Sequence, residues 1–543
     1  MARRRLVPLA AAAAALAVTV AGAHSGAAAA RPSGPDRPTK VVVIVVDALS
    51  KEIVDEYDMD TVQELMEDGV DTPRGYLGHT GAVTVVTHNV ITTGVQPRHM
   101  GWTNEGYRDV DNVLGGGEGA FYLTSNFGRT ELNALQEHAG YPHLSDYLDD
   151  TGRVFTVSPK SYAAYGLSGP GSDDTSVITF SSSECSGFRG PTGVNVPTYI
   201  TTPQCGRYWV ERDKGYDTLQ LPAQLYPATD DRYVVGDEPD HQGGDVWATD
   251  AVLDIMEHED DWSGIFVSLP GVDKAAHMWG GVDDPEDEVD GYDPMTHMEF
   301  ATATADAQIA RIIDELEDAD QLDDTLVVLT ADHGSVAGRH FHGDSVAEDN
   351  YGFFNWYFAD PANDDPYDRP QEALRPLTDT GNVGFSYSDS SLNVWLKDQS
   401  SAKVKEAAEI MEDLPDVTAV WRRDGDHFDR VSPVRRDLMT GAENAWFTRK
   451  AHELVDTQAA PYGPDLVATL RDNTTYSVAG DHGGIQRASQ QIPIVFAGGG
   501  VSHKDLRAEV RSIDIMPTIL KTMGIELDEK VDGKGYELPM AKR

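Results

Sequence analysis

Four segments of the chain are nearly continuous runs of β-branched and other apolar residues. They are KVVVIVVDAL (40–49), SGIFVSL (Ser263–Leu269), DTLVVLT (Asp324–Thr330) and QIPIVFAG (Gln491–Gly498). A strand that is buried on both faces of a sheet has this pattern, because neither of its faces meets water. Amphipathic helical patterns lie between the runs, for example MEFATATADAQIARIIDELE and SAKVKEAAEIMEDL. This alternation predicts an α/β fold with a mainly parallel central sheet.

The rhythm of buried strands stops between about Gly338 and Tyr462. Within this stretch LNVWLKD, the helical SAKVKEAAEIMEDL and VTAVWRR predict a strand–helix–strand unit. We therefore predict a main α/β domain in two parts, residues 39–337 and 463–543, with an inserted α+β cap at residues 338–462. Residues 31–38, RPSGPDRP, are predicted to be a linker because proline and glycine disfavour regular structure.

The first thirty residues have the features of a secretory signal peptide. Three arginines precede a short, alanine-rich apolar segment, and small residues suited to cleavage follow it. A retained membrane anchor is the less favoured interpretation, since the apolar segment is short for a span. We expect residues 1–30 to be removed and the mature protein to be secreted, with no membrane span.

The net charge of the chain disfavours some kinds of binding partner. The formal net charge is −47, and so acidic a surface repels DNA, RNA and anionic lipid. Nucleic-acid binding is therefore not expected as the main function. The acidity favours a secreted or salt-adapted protein that its own charge keeps in solution.

The chain has two cysteines, Cys185 and Cys205. In an exported protein we expect them to form a disulfide, with two unpaired thiols as the alternative. Two cysteines are too few for a thiolate metal site, so any bound metal must use histidine and carboxylate ligands.

Acidic and histidine side chains follow the apolar runs. Asp47 follows the first run, the pair Asp273 and His277 the second, the pair Asp332 and His333 the third, and Asp481 and His482 follow TTYSVAG, which reads as a further strand. Each motif alone is equally compatible with a helix cap, a turn or a surface pair. Together they predict a metal site, because the carboxyl ends of parallel strands share one edge of a sheet and these ligands suit Zn²⁺ or Mn²⁺.

The segment GAVTVVTHNVITTG (81–94) has the composition of a β-rich core segment, but one of its threonines could instead be a nucleophile. A threonine hydroxyl needs an activator. Two metal ions at the predicted site would supply one, because metal coordination strongly lowers the pKa of a bound hydroxyl. The sequence therefore favours in-line displacement at phosphorus.

The residues also carry a family resemblance. TVVTHNVITTGVQPRHMG resembles T-F-P-N-H-x-x-I-x-T-G-x-x-P-x-x-H-G, the nucleophile motif of the type I phosphodiesterase/nucleotide pyrophosphatase branch of the alkaline phosphatase superfamily. The resemblance implies a three-layer αβα sandwich with a cap, two metal ions, with zinc as the implied metal, and a phospho-threonine intermediate. It assigns Thr84 as nucleophile and metal ligand, Asp47, Asp332 and His333 to the metal that activates Thr84, and Asp273, His277 and His482 to the other metal.

Two positions bear on the substrate. Thr87 stands where the family has an asparagine that donates to a phosphate oxygen, so the resemblance implies a substrate contact through a shorter side chain. Lys160, in VSPKSYAAYGL, resembles a substrate-contacting lysine of monoesterase and phosphonate-hydrolase relatives, whose second basic residue is Tyr162 here. A solvated surface lysine is the alternative reading of Lys160.

The sequence therefore predicts a secreted two-metal phosphoric ester hydrolase that acts on small phosphodiesters or nucleotide pyrophosphates. The first alternative is a phosphomonoesterase or phosphonate hydrolase that uses Lys160. A more remote alternative is an acidic secreted binding protein without turnover.

Overall fold

The apolar run after residue 39 forms the centre of the main sheet. Strand β1 (Lys40–Val46) lies between β8 (Trp262–Leu269) and β9 (Thr325–Thr330) and is parallel to both. Every residue of these three strands is buried except Lys40, the first residue of β1. The continuous β-branched runs are explained by this position, since these strands are covered on both faces.

The main sheet has eight strands in the order β2-β17-β9-β1-β8-β5-β6-β7. The other five are β2 (Val70–Asp71), β5 (Arg153–Val157), β6 (Thr175–Phe180), β7 (Pro191–Val194) and β17 (Ile494–Gly498). Strands β2, β7 and β17 form antiparallel pairs, and the inner pairs are parallel. The predicted α/β fold with a mostly parallel sheet is confirmed.

The computed structural model describes residues 37–172, 174–180, 191–200, 244–279, 282, 295–336, 340–341, 374–476 and 481–541. The described residues belong to one compact unit. The predicted signal peptide, Cys185 and Cys205 lie outside the described residues. Among the described helices, none is both long and apolar enough to cross a bilayer.

Two groups of helices pack against the main sheet. The described helices are α1 (Lys51–Glu56), α2 (Asp60–Asp68), α3 (Thr84–Thr93), α4 (Pro97–Met100), α5 (Arg129–Ala139), α6 (Leu144–Leu148), α7 (Ser161–Ser168), α8 (Asp245–His258), α9 (Gly271–Trp279), α10 (Met295–Asp318), α11 (Arg375–Thr378), α12 (Ser401–Glu412), α13 (Gly441–Val455), α14 (Arg487–Gln490) and α15 (Ile515–Met523). In the first group α10 contacts α2, α8 and α9, and in the second α3 contacts α6, α7 and α15.

A second sheet lies in the predicted cap region. Its five antiparallel strands have the order β11-β12-β15-β13-β14. They are β11 (Val383–Ser388), β12 (Ser391–Leu396), β13 (Val417–Asp424), β14 (His427–Arg430) and β15 (Leu466–Leu470). The strand–helix–strand unit is β12, α12 and β13. The sheet extends beyond residue 462, where the sequence placed the end of the cap, because β15 is its central strand.

Two further pairs of strands complete the described structure. Strands β3 (Gly106–Asp109) and β4 (Ala120–Leu123) form a hairpin, and β10 (His340–Phe341) pairs with β16 (Thr474–Thr475). The segment TTYSVAG, which the sequence presented as a buried strand, contributes only the short β16 to the described residues. Among the described residues, the strand that precedes Asp481 and His482 is β16, which pairs with β10 and not with the main sheet.

The threonine-rich segment is helical, although its composition suggested a β-rich segment. All ten residues of α3 are buried, and the helix ends at Gly94 with a positive φ of 68°. Valine and threonine are only weakly unfavourable in helices, so burial on all sides outweighs their propensity. As the sequence also suggested, the segment is part of the packed core, since every residue of the helix is buried.

One buried ion cluster joins the β3–β4 hairpin to the second sheet. Both oxygens of Asp465 accept short bonds from guanidinium groups, Oδ2 from Arg108 at 2.6 Å and Oδ1 from Arg423 at 2.6 Å. The main-chain N–H of Leu396 also donates to Oδ2 at 2.8 Å. Asp465 thus compensates two cations in a site that water scarcely reaches.

We expect Asp465→Ala to lower the free energy of unfolding by ~3–5 kcal/mol, because it leaves buried guanidinium charge without a partner. Urea denaturation measures the difference. Asp424→Ala is the matched control, since Asp424 is exposed and lies 3.8 Å from Arg422, and it should change stability by ~0.5 kcal/mol or less. Equal effects of the two substitutions would contradict this account of the cluster.

Candidate metal centre

The strand order brings the predicted ligands to one edge of the main sheet. Asp47 directly follows β1, Asp332 follows β9 by two residues, and Asp273 lies in the first turn of α9, just after β8. Because these three strands are adjacent and parallel, their carboxyl ends meet at the same edge.

Asp47, Asp332 and His333 form a first ligand group. Each offers one ligand atom within 4.8 Å of the others, and all three are buried. His333 Nε2 lies 3.4 Å from Asp47 Oδ1 and 3.4 Å from Asp332 Oδ2. Nδ1 of His333 faces the carbonyl of Gly334 at 3.1 Å, so this nitrogen carries the proton and Nε2 keeps its lone pair.

The atoms of the first ligand group fit a metal ion. Asp47 Oδ1, Asp332 Oδ2 and His333 Nε2 are buried and make no hydrogen bond among the described residues. Buried polar atoms in proteins normally have a partner. Two carboxylate oxygens and an imidazole nitrogen are suitable ligands for Zn²⁺ or Mn²⁺.

Asp273, His277 and His482 form a second ligand group next to the first. His277 Nε2 lies 3.2 Å from Asp273 Oδ1, and His482 Nε2 lies 3.8 Å from the same oxygen. His482 Nδ1 donates to the carbonyl of Ala82 at 2.7 Å, which leaves Nε2 for a metal. The rings of His333 and His482 stack with centroids 3.6 Å apart, so the two groups adjoin.

Lys160 lies between the two ligand groups. It directly precedes α7, which follows β5. Its Nζ donates to Asp47 Oδ2 at 2.5 Å and to Asp273 Oδ2 at 2.6 Å. Only 7 % of the residue is exposed, so it is not a solvated surface lysine. Burial alone would lower the pKa of Lys160, but the carboxylates of Asp273 and Asp47 outweigh burial and raise the pKa well above its ordinary value.

The carboxylates of the site carry more negative charge than one lysine compensates. Burial, reinforced by the charges of Asp273 and Asp332, raises the pKa of Asp47 well above its ordinary value. Burial also raises the pKa of Asp332 to about 7 and lowers the pKa of His333 to about 3. Buried carboxylates beside neutral imidazoles make a centre that attracts cations.

Thr84 is the first residue of α3 and is 4 % exposed. One turn later, Nδ1 of His88 donates to the carbonyl of Thr84 at 2.9 Å and lies 3.6 Å from Asp332 Oδ2. Nε2 of His88 then accepts from the Ser268 hydroxyl at 3.0 Å. The start of α3 is thereby tied to β8 and to the first ligand group.

Thr87 is not brought into either ligand group. It is fully buried in α3, and its hydroxyl lies 3.5 Å from His79 Nε2. Its role as a phosphate contact stays a prediction.

Sequence reasoning gave His88 no role, and it counted Asp481 in the pattern that predicts a metal site without assigning it to either metal. Both residues lie at the centre. Thr84 and His88 are four residues apart, which places them on the same face of a helix. This spacing could have indicated that His88 contacts Thr84. Asp481 is within 4.8 Å of His277 and His482 through its ligand atom. A third candidate group, Asp424, His427 and Asp429, lies on the exposed β13–β14 hairpin, where Arg422 contacts Asp429 at 3.0 Å.

Comparisons with known proteins identify related phosphoester hydrolases. The family model of type I phosphodiesterase / nucleotide pyrophosphatase matches residues 177–485, a stretch that includes the second ligand group, Asp332 and His333. The chain is 22% identical, over 93% of its length, to the alkaline phosphatase PhoK of Sphingomonas sp., of which 92% is covered.

Two solved structures share the fold. Wild-type alkaline phosphatase PafA has a TM-score of 0.59 at 15% identity, with 91% of this chain and 97% of PafA covered. Murine ectonucleotide pyrophosphatase / phosphodiesterase 5, in an inactive form in complex with AMP, has a TM-score of 0.50 at 10% identity, with 90% and 96% covered.

The family model spans more than half of the 543 residues. The relatives are phosphoester hydrolases of the alkaline phosphatase superfamily. The chain belongs to the type I phosphodiesterase/nucleotide pyrophosphatase family, and it is a phosphoester hydrolase of the metal-dependent kind.

Proposed function

We propose that the protein hydrolyses phosphodiesters and nucleotide pyrophosphates through Thr84, with two divalent ions at the two ligand groups. The observation that carries the proposal is the first ligand group, whose Asp47 Oδ1, Asp332 Oδ2 and His333 Nε2 are buried, unbonded and mutually close. The second ligand group adjoins it across the stacked rings of His333 and His482.

Zinc is the proposed metal at both positions, because mixed imidazole and carboxylate ligands suit it. When bound, two such ions supply Lewis acidity, which lowers the pKa of a coordinated hydroxyl and stabilises charge on the phosphate oxygens. Asp47, Asp332, His333 and Thr84 would hold the first ion, and Asp273, His277 and His482 the second.

Thr84 is the proposed nucleophile. Its oxygen forms a bond to phosphorus while the bond from phosphorus to the leaving oxygen breaks, and the hydroxyl proton is passed on to the leaving group. Water then cleaves the resulting phospho-threonine and regenerates Thr84. The helix that begins at Thr84 favours negative charge at its N-terminus, where the phosphate would lie. His88 keeps this helix end in place through the Thr84 carbonyl.

A small nucleotide is the proposed type of substrate. The related ectonucleotide structure contains AMP, and the family is named for phosphodiester and pyrophosphate cleavage. The acidic surface of this chain favours small substrates over long nucleic acids. We also propose that the protein is secreted, on the basis of the signal-like segment 1–30.

The second candidate function is that of a phosphomonoesterase or phosphonate hydrolase. The position of Lys160 between the two ligand groups favours it. An ammonium group buried between the ligand groups could compensate the extra charge of a monoester. The relative PhoK is an alkaline phosphatase.

We expect Thr84→Ala to lower kcat/KM for bis-p-nitrophenyl phosphate by at least ~10³-fold, since no other hydroxyl is proposed to attack phosphorus. Thr93→Ala is the matched control, because Thr93 is a buried threonine of the same helix whose hydroxyl donates to the carbonyl of Asn89 at 2.7 Å and accepts the N–H of Val95 at 3.3 Å. It should keep activity within ~10-fold of wild type. Undiminished activity of Thr84→Ala would show that another group is the nucleophile.

We expect Lys160→Met to lower kcat/KM for p-nitrophenyl phosphate ~10-fold more than for the diester, because the monoester carries one more negative charge for the ammonium to compensate. Rates with the two substrates on zinc-loaded protein give the ratio. Lys51→Met removes a lysine that instead donates to the carbonyl of Thr72, and it should leave the ratio unchanged. Equal losses for both substrates would argue against a substrate contact by Lys160.

A further inference from the structure

Asp481 is a buried carboxylate at the centre to which the proposed function gives no role. It is 4 % exposed. Its carboxylate oxygen and the ring nitrogens of His277 and His482 all lie within 4.8 Å of one another. The same distance criterion unites the first ligand group. Asp481 therefore lies within ligand-sharing distance of two members of the second ligand group, His277 and His482.

The local structure at Asp481 repeats that at Asp332. Both residues begin an Asp-His-Gly sequence. In the first copy Asp332 Oδ1 accepts the main-chain N–H of His333 at 3.0 Å, and in the second Asp481 Oδ1 accepts that of His482 at 2.8 Å. In both copies Nδ1 of the histidine faces a main-chain carbonyl, which leaves Nε2 for a metal.

The two copies are also joined to each other. The N–H of Val336 donates to the carbonyl of Asp481 at 2.6 Å, and the N–H of Asp481 donates to the carbonyl of Val336 at 3.3 Å. On the other side, the N–H of Ser390 donates to the carbonyl of His482 at 3.0 Å. These main-chain bonds fix the second Asp-His-Gly sequence beside the first, and the bond from the His482 N–H to Oδ1 orients the carboxylate of Asp481.

We propose that Asp481 is a fourth protein ligand of the second metal ion, beside Asp273, His277 and His482. The inference rests on the proposed function in that it requires a metal at the second ligand group. A divalent ion with one carboxylate, Asp273, and two neutral imidazoles has a net charge of +1. The carboxylate of Asp481 reduces this net charge to zero. It therefore adds to the affinity for the ion and weakens the attraction of the centre for a doubly charged phosphate.

Metal affinity provides the first test, and it needs no substrate. We expect Asp481→Asn to raise the Kd of one of the two zinc ions by ~100-fold, as measured by competition with a chromophoric chelator, while the other ion stays within ~10-fold. Asp389→Asn is the matched control, since Asp389 is a fully buried carboxylate in the neighbouring turn that belongs to no ligand group. An increase no larger than that of the control would overturn the proposal.

Cobalt substitution distinguishes direct ligation from an indirect effect. In Asp481→Cys, a thiolate at the ligand position should give a near-ultraviolet sulfur-to-cobalt charge-transfer band that is absent from the Co²⁺ forms of wild type and Asp389→Cys. A folded Asp481→Cys protein that binds two Co²⁺ ions without this band would overturn the proposal.

The two proposals fail in different ways. The proposed function would be refuted if the wild-type protein bound two metal ions but did not cleave diesters. Asp481 would still be a ligand if Asp481→Asn showed the predicted loss of metal affinity and Asp481→Cys the predicted cobalt band. Wild-type protein that cleaves diesters, with Asp481→Asn unchanged in metal affinity, would refute only the inference about Asp481.

Discussion

The structure of the centre depends on the compensation of buried negative charge. Asp47, Asp273 and Asp332 lie together at the edge of the main sheet, each almost without access to water. One ammonium group, that of Lys160, lies among them, while burial keeps the imidazole of His333 neutral. Carboxylates in so dry a site require cations nearby. The unbonded ligand atoms of the first ligand group are where such a cation fits.

The fold supplies this arrangement through strand order. Strands β9, β1 and β8 are adjacent and parallel, so the residues after them meet at one edge although they are far apart in the chain. Helix α3 adds Thr84 to this edge, and His88 connects the helix to Ser268 at the end of β8. The carbonyl of Ala82, just before the helix, accepts a bond from His482. Thr84, the proposed nucleophile, and the proposed metal ligands are thus held by one hydrogen-bonded network.

Much of this could be predicted from the sequence, because buried parallel strands and the ligands after them leave a strong pattern. The apolar runs predicted β1, β8, β9 and β17, and the motifs predicted which side chains follow them. The burial of Lys160 could not be predicted, since it depends on β5 lying next to β8. The helical structure of α3 could not be predicted either, because burial of the segment outweighs the strand propensity of its valines and threonines. The place of β15 in the second sheet could not be predicted either, because β15 joins that sheet from beyond residue 462.

The central claim is that the two ligand groups hold two metal ions beside Thr84. Anomalous X-ray diffraction at the zinc edge, from crystals grown with zinc, tests it most directly. The account predicts two strong peaks, one among Asp47, Asp332 and His333 and one among Asp273, His277 and His482. A single peak, or peaks only at the exposed group of Asp424, His427 and Asp429, would contradict it.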